Sequence, residues 1–493
     1  MAGDGIIDLS REIVFGSADA VVSRRISGLE KKGVLRKIAP RIYTTNLHDA
    51  PENIVRRNLF DIVAWRLPGG VISHRSAYEM APTPTGDFFL TASSERVIAD
   101  IPGIRLNVSK GAPPLENDIR LGGASIYVSS EYRRALEILQ PSRKAPDEAK
   151  SLPASFIEGK IEKMMAVGGE KDVNDFRDRA REVAAELGMG NEFGKLNKIV
   201  SALLNTHPAT VLTSDSAKAL AAGVPYDAER ARLFEVLFNA LQNDYFATRD
   251  DANTSVEAFR NFAFFESYFS NYIEGTEFEV GEAKQIVDTG RIIPNRSGDS
   301  HDILGTFNVV SNKTEMQRTP ATEDEFLSLL QRRHAAILRG RPDMDPGGFK
   351  TRGNRAGDSV FVAPERVEGT LRHGFKLYRA LTSPLARAVY MMFLCSEVHP
   401  FNDGNGRVSR IMMNAELVAA GQTRIIVPTV FRDDYILSLR RLTRSSNPAA
   451  YIKAMSRLQE FCSRIDASTF DGTREFLERS NAFKEPDEAR LIF

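Results

Sequence analysis

A mainly α-helical chain with a short α/β unit at its front is what the sequence predicts, and three observations carry that prediction. Apolar residues recur at helical spacing through most of the chain beyond residue 154. Residues 33–45 read instead as two short strands about a turn, and residues 347–366 as a β-hairpin between helical stretches.

The front comes first. In AVVSRRISGLEKK, residues 20–32, Val21, Val22, Ile26 and Leu29 form one helical stripe, and GVLRKIAPRIYTT follows as the strand pair. That is the outline of a winged helix-turn-helix, expected over residues 1–145. Between Val21 and Arg41 lie Arg24, Arg25, Lys31, Lys32, Arg36, Lys37 and Arg41 against Glu30 alone, although the whole chain balances 65 basic with 65 acidic residues. Such a local excess holds phosphates in a salt-dependent way, with Arg24 and Arg25 placed to enter a DNA groove and Lys31 and Lys32 beside them. Ser73 and His74 in VISHRS resemble a catalytic pair, but a structural role is expected of them.

Residues 141–153, PSRKAPDEAKSLP, combine proline with mixed charge and read as a linker. A linker and helical spacer are expected over 146–250, from patterns such as DFRDRAREVAAELGM and ARLFEVLFNALQNDY. A further helical unit is expected over 251–465. Within it a helix of about 256–275 carries Phe262, Phe265, Phe269 and Tyr272 or Ile273 at helical spacing, which places Ser270 and Glu274 on one face and the stop at Gly275. The segment 347–366, GGFKTRGNRAGDSVFVAPER, contains Gly348 and the alternating Val360, Phe361 and Val362. Ser383–Pro384 starts a helix that ends at His399, and Val408, Ile411, Met412, Ala415, Val418 and Ala419 mark the buried stripe of the next, stopping near Gly421. Residues 466–493 read as a polar, mobile tail.

Composition fits this plan: 493 residues suggest about three domains, and 42% hydrophobic residues supply their cores. Two cysteines, Cys395 and Cys462, indicate neither a disulfide framework nor a zinc site, and fit a reducing cytoplasm. MAGDGIIDLS lacks the basic start and apolar core of a signal peptide, and no apolar run approaches the roughly 20 residues of a membrane span, so no membrane partner is expected.

The chemistry concentrates in HPFNDGNGRVSR, residues 399–410, where residues 399–406 form the loop between the two helices and Arg407 and Arg410 lie on the first turn of the second. Gly404 and Gly406 let backbone approach a ligand, and the unpaired amides of the second helix face outward at the positive end of its dipole. Arg407 and Arg410 can point guanidinium forks at anions held there. Asp403 is unfavourable among phosphate-binding groups unless a divalent cation lies between, and a hard oxygen ligand carrying phosphates suits Mg²⁺. His399 titrates near neutrality and is the natural general base toward an attacking hydroxyl. The segment reads as a device for handling a polyphosphate.

HPFNDGNGRVSR resembles, without a departure, the signature HPFx(D/E)GNGRxxR of the Fic family. The resemblance implies an all-helical core with a β-hairpin flap, and transfer of AMP from ATP to a protein hydroxyl, the enzyme itself included, with Mg²⁺ as cofactor. It implies His399 as base, Asp403 as metal ligand, Gly404, Asn405 and Gly406 as anion cradle, and Arg407 and Arg410 as phosphate-binding arginines, Arg410 reaching the γ-phosphate. The related Doc kinases carry lysine at the second glycine and invert the nucleotide; Gly406 argues against that reading. SNYIEG resembles the family's inhibitory motif (S/T)xxxE(G/N), which implies that Glu274 pairs with Arg410, that Ser270 steadies the helix, and that Gly275 closes the motif. The flap position implies main-chain docking of a target segment along residues 348 and 360–362. At the front, RIYTT, GGVISHRSAYEM and DFFLTAS resemble AbiEi-like antitoxins, which implies DNA binding. Removal of AMP by the same site, and a DNA-binding regulator with a silenced catalytic unit, are the alternative functions.

Overall fold

The computed structural model describes residues 7–121, 125–356 and 359–493. The first six residues of MAGDGIIDLS and residues 357–358 of the expected hairpin lie outside the described residues. The chain is mainly α-helical and divides into two compact units, Met1–Ala221 and Ala222–Phe493.

The first unit opens with strand β1 (Ile13–Phe15), helix α1 (Ala20–Lys31), β2 (Arg36–Ala39) and β3 (Ile42–Thr44). The three strands form an antiparallel sheet in the order β1-β3-β2, which contains the expected strand pair. Asp19 caps α1 by accepting from the amides of Val21 and Val22. Ile26 is the buried residue of its stripe, whereas Val21 is 59% exposed, so the apolar face is narrower than its spacing implied. Arg24, Arg25 and Lys31 on α1 and Lys32 at its C-cap are all exposed.

Beyond helices α2 (Pro51–Arg57), α3 (Leu59–Arg66) and α4 (His74–Glu79) lies a second sheet without counterpart in the sequence expectation. Its strands β4 (Val71–Ile72), β5 (Asp87–Ala92), β6 (Arg96–Ile101), β7 (Ile104–Lys110), β8 (Ile119–Arg120) and β9 (Tyr127–Val128) run in the order β6-β7-β5-β4-β9-β8. Ser73 and His74 are buried here. Ser73 Oγ lies 2.9 Å from His74 Nδ1, and His74 Nε2 lies 3.0 Å from Gln140 Oε1, contacts that serve the packing of the unit.

Helix α5 (Glu131–Glu137) leads to α6 (Ala154–Leu187), interrupted at Gly169, then α7 (Gly190–Leu203) and α8 (Asp215–Ala221). Ala135, Leu136 and Ile138 share one core with Ile157, Ile161, Val183 and Leu196. The division expected at the proline-rich linker is therefore bridged by packing, and residues 146–221 belong to the front unit.

The second unit begins with α9 (Ala228–Asn243), which packs on α15 (Val367–Tyr378) and α16 (Pro384–Val398) rather than serving as part of a spacer. Helix α10 (Val256–Ile273) is the expected phenylalanine-striped helix, capped by Ser255. Helices α11 (Val280–Thr289), α12 (Ser297–Val310), α13 (Lys313–Met316) and α14 (Glu323–Ile337) follow. The hairpin β10 (Arg355–Ala356) and β11 (Ser359–Val360) precedes α15. Helix α16 is apolar on nearly every side and lies at the centre of the core, paired with α17 (Asn405–Ala419). Helices α18 (Arg432–Ser445), α19 (Ala449–Cys462) and α20 (Phe470–Arg479) complete the unit.

The final segment is not a mobile tail. Phe470 stacks at 5.1 Å on Phe265, Phe483 contacts Phe269 at 5.0 Å, and Leu477 and Ala482 are fully buried. Its polar composition concealed Phe470 and Phe483, which close the outer face of α10, and Phe476, which stacks on Phe461 of α19. Among the described residues no helix is long and apolar enough to cross a membrane.

Candidate functional site

The site lies where α16 ends and α17 begins. His399 takes the C-cap of α16 in the left-handed conformation, φ +53°, which turns the chain sharply out of the helix. Gly404 supplies the opposite corner at φ +72°, the N-cap of α17. A side chain there would meet Leu338 and His334 at 3.2–3.5 Å, so the loop needs glycine for both conformation and space.

Asn405 is turned inward. Its Oδ1 accepts from the Phe401 amide at 2.8 Å and its Nδ2 donates to the Phe401 carbonyl at 2.9 Å. Both side-chain functions are used to lock the loop, so Asn405 shapes the cradle and its side chain is not offered to an anion. Phe401 is buried, and the ring of His334 on α14 stacks on it at 3.6 Å. His334 Nδ1 accepts from the Gly347 amide at 2.9 Å, which leaves Nε2 protonated to donate to the Asp403 carbonyl at 2.9 Å. Sequence reasoning missed His334, although its place on the apolar face of α14 between Leu330 and Ile337 was a signal.

The two arginines have different surroundings. Arg407 is 2% exposed and ion-paired with the buried Asp302 of α12 at 2.5 Å, with Asp403 at 3.5 Å and Asn271 of α10 at 3.4 Å nearby. In this state it is committed to carboxylates rather than presented to a free anion. Arg341 joins the same cluster, 3.1 Å from Asp302 and 3.6 Å from Asp403. No local pattern in the sequence marks Asp302 or Arg341; folding alone brings them here.

Arg410 is enclosed by the helix expected to restrain it. Its Nε donates to Ser270 Oγ at 2.9 Å, and its Nη2 donates to the Ser270 carbonyl at 2.8 Å and to Glu274 Oε1 at 2.7 Å. Tyr435 of α18, buried and with its phenol pushed up by burial, lies beside this guanidinium. The register that permits this is set one turn earlier. Glu266 accepts from Asn414 and Arg424 at 2.8 Å each, pinning α10 against α17, and Ser270 and Glu274 follow at successive four-residue steps. Gly275, at φ +89°, ends the motif beyond α10.

Glu274 does more than pair with Arg410. A side-chain carbon placed on Gly406 would stand 2.0 Å from Glu274 Oε1, so the carboxylate lies directly against the glycine of the cradle. The negative group therefore occupies the region where the α17 amino end would receive an anion. His399, Glu274, Gly406, Arg410, Phe361 and Tyr435 all face one cleft of about 290 Å³.

His399 is mostly buried, and burial together with the Lys350 ammonium lowers its pKa to about 4, leaving the ring neutral at physiological pH. Phe361 stacks on it at 3.8 Å. Of the expected flap residues, Val360 is 68% exposed on the β11 edge, but Val362 is fully buried and belongs to the core, and Gly348 sits in the turn before the hairpin. The Val360 carbonyl accepts from Arg230 of α9 at 2.7 Å, and Arg230 also pairs with Glu397 at 2.9 Å.

Asp403 is the one expected metal ligand. Its side chain is 39% exposed, and its Oδ1 accepts from the Gly404 amide at 2.6 Å. Among the described residues no group of three or more acidic, histidine or cysteine side chains is arranged to hold a metal. A half-exposed single carboxylate beside an anion cradle fits Mg²⁺, which keeps waters and shares substrate phosphates, and does not fit an all-protein cage.

Residues 325–417 match the model of the Fic/DOC family. The chain is similar to the protein adenylyltransferase Fic of Nematostella vectensis, 28% identical over 176 residues, which are 34% of this chain and 40% of that protein. It is similar also to the protein adenylyltransferase fic-1 of Caenorhabditis elegans, 26% identical over 177 residues, 35% of either chain. It thus spans less than half the length of these curated relatives. Among solved structures, residues 134–508 of C. elegans Fic-1 align with 67% of this chain and 94% of that one, at 17% identity and a TM-score of 0.36.

Proposed function

We propose, from the premise that residues 325–417 form a domain of the Fic/DOC family, that this protein is a protein adenylyltransferase restrained by its own helix α10. The carrying observation is the Glu274 carboxylate, bonded to Arg410 at 2.7 Å and lying against Gly406.

In the reaction, a hydroxyl oxygen of the target attacks the α-phosphorus of ATP, the bond from that phosphorus to the bridging oxygen breaks, and pyrophosphate leaves. The neutral His399 ring accepts the hydroxyl proton at its free nitrogen. Amides at the start of α17 receive the phosphate oxygens, and Arg410, once released, reaches the terminal phosphate. Asp403 would hold Mg²⁺, which when bound offsets charge on the phosphates. The exposed Val360 edge supports docking of an extended segment of a protein target, or of a second copy of this chain.

The test compares E274G with the E274G/H399A double variant using ATP labelled in the α-phosphate. E274G should transfer label to itself or to host proteins. The double variant should lose at least about 100-fold of that rate while binding ATP within threefold of E274G. Equal labelling by both would remove His399 as base.

Glu274 and His399 face the same cleft, which also supports AMP removal with Glu274 orienting water; wild type releasing AMP from a labelled target faster than E274G would favour it. The exposed Arg24, Arg25, Lys31 and Lys32 support DNA contact by the front unit. Absence of a gel shift at low salt would remove that partner. The two cysteines are buried and unpaired, in keeping with a reducing cytoplasm.

A further inference from the structure

We propose that Lys350 is the positioning residue of His399, a cation supplied by the root of the flap that caps helix α16 and holds the base in its turn. The inference rests on the adenylyltransferase reading above and extends it to a residue outside the signature loop.

Lys350 is 2% exposed. Its Nζ donates to the His399 carbonyl at 2.7 Å, the Val398 carbonyl at 3.4 Å and Asn354 Oδ1 at 2.6 Å, so all three ammonium hydrogens meet neutral oxygens. Its backbone amide donates to the Pro400 carbonyl at 2.9 Å. Asn354 continues the seam by donating to the Phe401 carbonyl at 3.0 Å. Residues 350–354 thus contact every backbone carbonyl from Val398 to Phe401.

Two physical consequences follow. The last carbonyls of a helix lack intrahelical partners and carry the negative end of its dipole, so a buried ammonium there satisfies both needs. His399 has a left-handed backbone that usually belongs to glycine, and a non-glycine residue stays there only when its surroundings hold it. Lys350 supplies that hold.

The ammonium also acts through space. Burial, with Arg230 as the neighbouring cation, lowers its pKa to about 8. It stands behind His399, while Glu274 and Asp403 are the negative groups acting on that ring. Replacing Lys350 by a neutral residue should move the His399 midpoint up from about 4 toward the ordinary histidine value.

The experiment uses the full chain as K350M and K350R, each alone and with E274G. In the E274G background, K350M should lower kcat for transfer at least about tenfold, leave the ATP Kd within twofold, and be largely rescued by K350R. The titration of His399, followed by NMR of ring-labelled histidine, should shift upward in K350M and not in K350R. An unmoved midpoint, or a K350M enzyme as active as its parent, overturns the proposal. So does loss of activity accompanied only by a lower Tm. If E274G itself transfers nothing, the adenylyltransferase reading fails, and the histidine titration still decides the role of Lys350.

Discussion

Replacing Glu274 with glycine should release the site, and the size of the release can be worked from the contacts of Arg410. That guanidinium keeps Ser270 Oγ and the Ser270 carbonyl when Glu274 is gone, and loses one charge-assisted bond of 2.7 Å. Such a bond contributes about 1.5–3 kcal/mol. The Glu274 side chain is 31% exposed, so water screens the pair and the lower end, about 1.5 kcal/mol, applies. That corresponds to roughly a tenfold gain in affinity for the ATP–Mg²⁺ complex. The figure is a floor, because the same carboxylate also sits against Gly406 and excludes an anion by its bulk. Calorimetric titration of wild type and E274G with ATP and Mg²⁺ measures it, and label transfer measured in parallel should rise by at least as much. E274Q, which keeps the shape and loses the charge, should fall between them. A change below twofold in both affinity and transfer would refute the inhibitory role of α10.

Two further predictions test the site and the fold. Because His399 has a pKa lowered to about 4, it is neutral above that value and can accept a proton. Transfer by E274G should therefore stay level from pH 8 to about 7 as far as this base is concerned, and fall only as acid protonates the ring. Bound triphosphate raises the midpoint, so the fall should centre between about 4 and 6.5 in the pH–rate profile; a midpoint above 7 would contradict the burial argument. In the final segment, L477A should destabilise the second unit by about 2–4 kcal/mol in urea unfolding, because Leu477 is fully buried. A change below about 0.5 kcal/mol would return that segment to a surface tail.

How legible the molecule was in its sequence varied with the range of the interactions. Both ends of α16 and the stop of α17 were readable because Ser383–Pro384, His399 and Gly421 are local signals whose effect is confined to a few residues. The pairing of Ser270 and Glu274 on one helical face was readable for the same reason. The fate of the final segment was not, since Phe470 packs on Phe265 of α10 and Leu477 is buried in the same core, among residues far away in the chain. The bridging of the proline-rich linker was hidden likewise, because a core shared by α5, α6 and α7 depends on which faces meet.

Local pattern alone determined α10, α16 and α17, the hairpin and the inventory of chemical groups between His399 and Arg410, since periodicity, caps and glycines act within a turn or two. Only the tertiary structure decided the state of those groups. It assigned Arg407 to Asp302, Arg410 to Ser270 and Glu274, Asn405 to the inside of its own loop, and the His399 carbonyl to Lys350. The reason is electrostatic. A buried charge must find its counter-group wherever the fold delivers one, and a sequence does not state which distant side chain arrives.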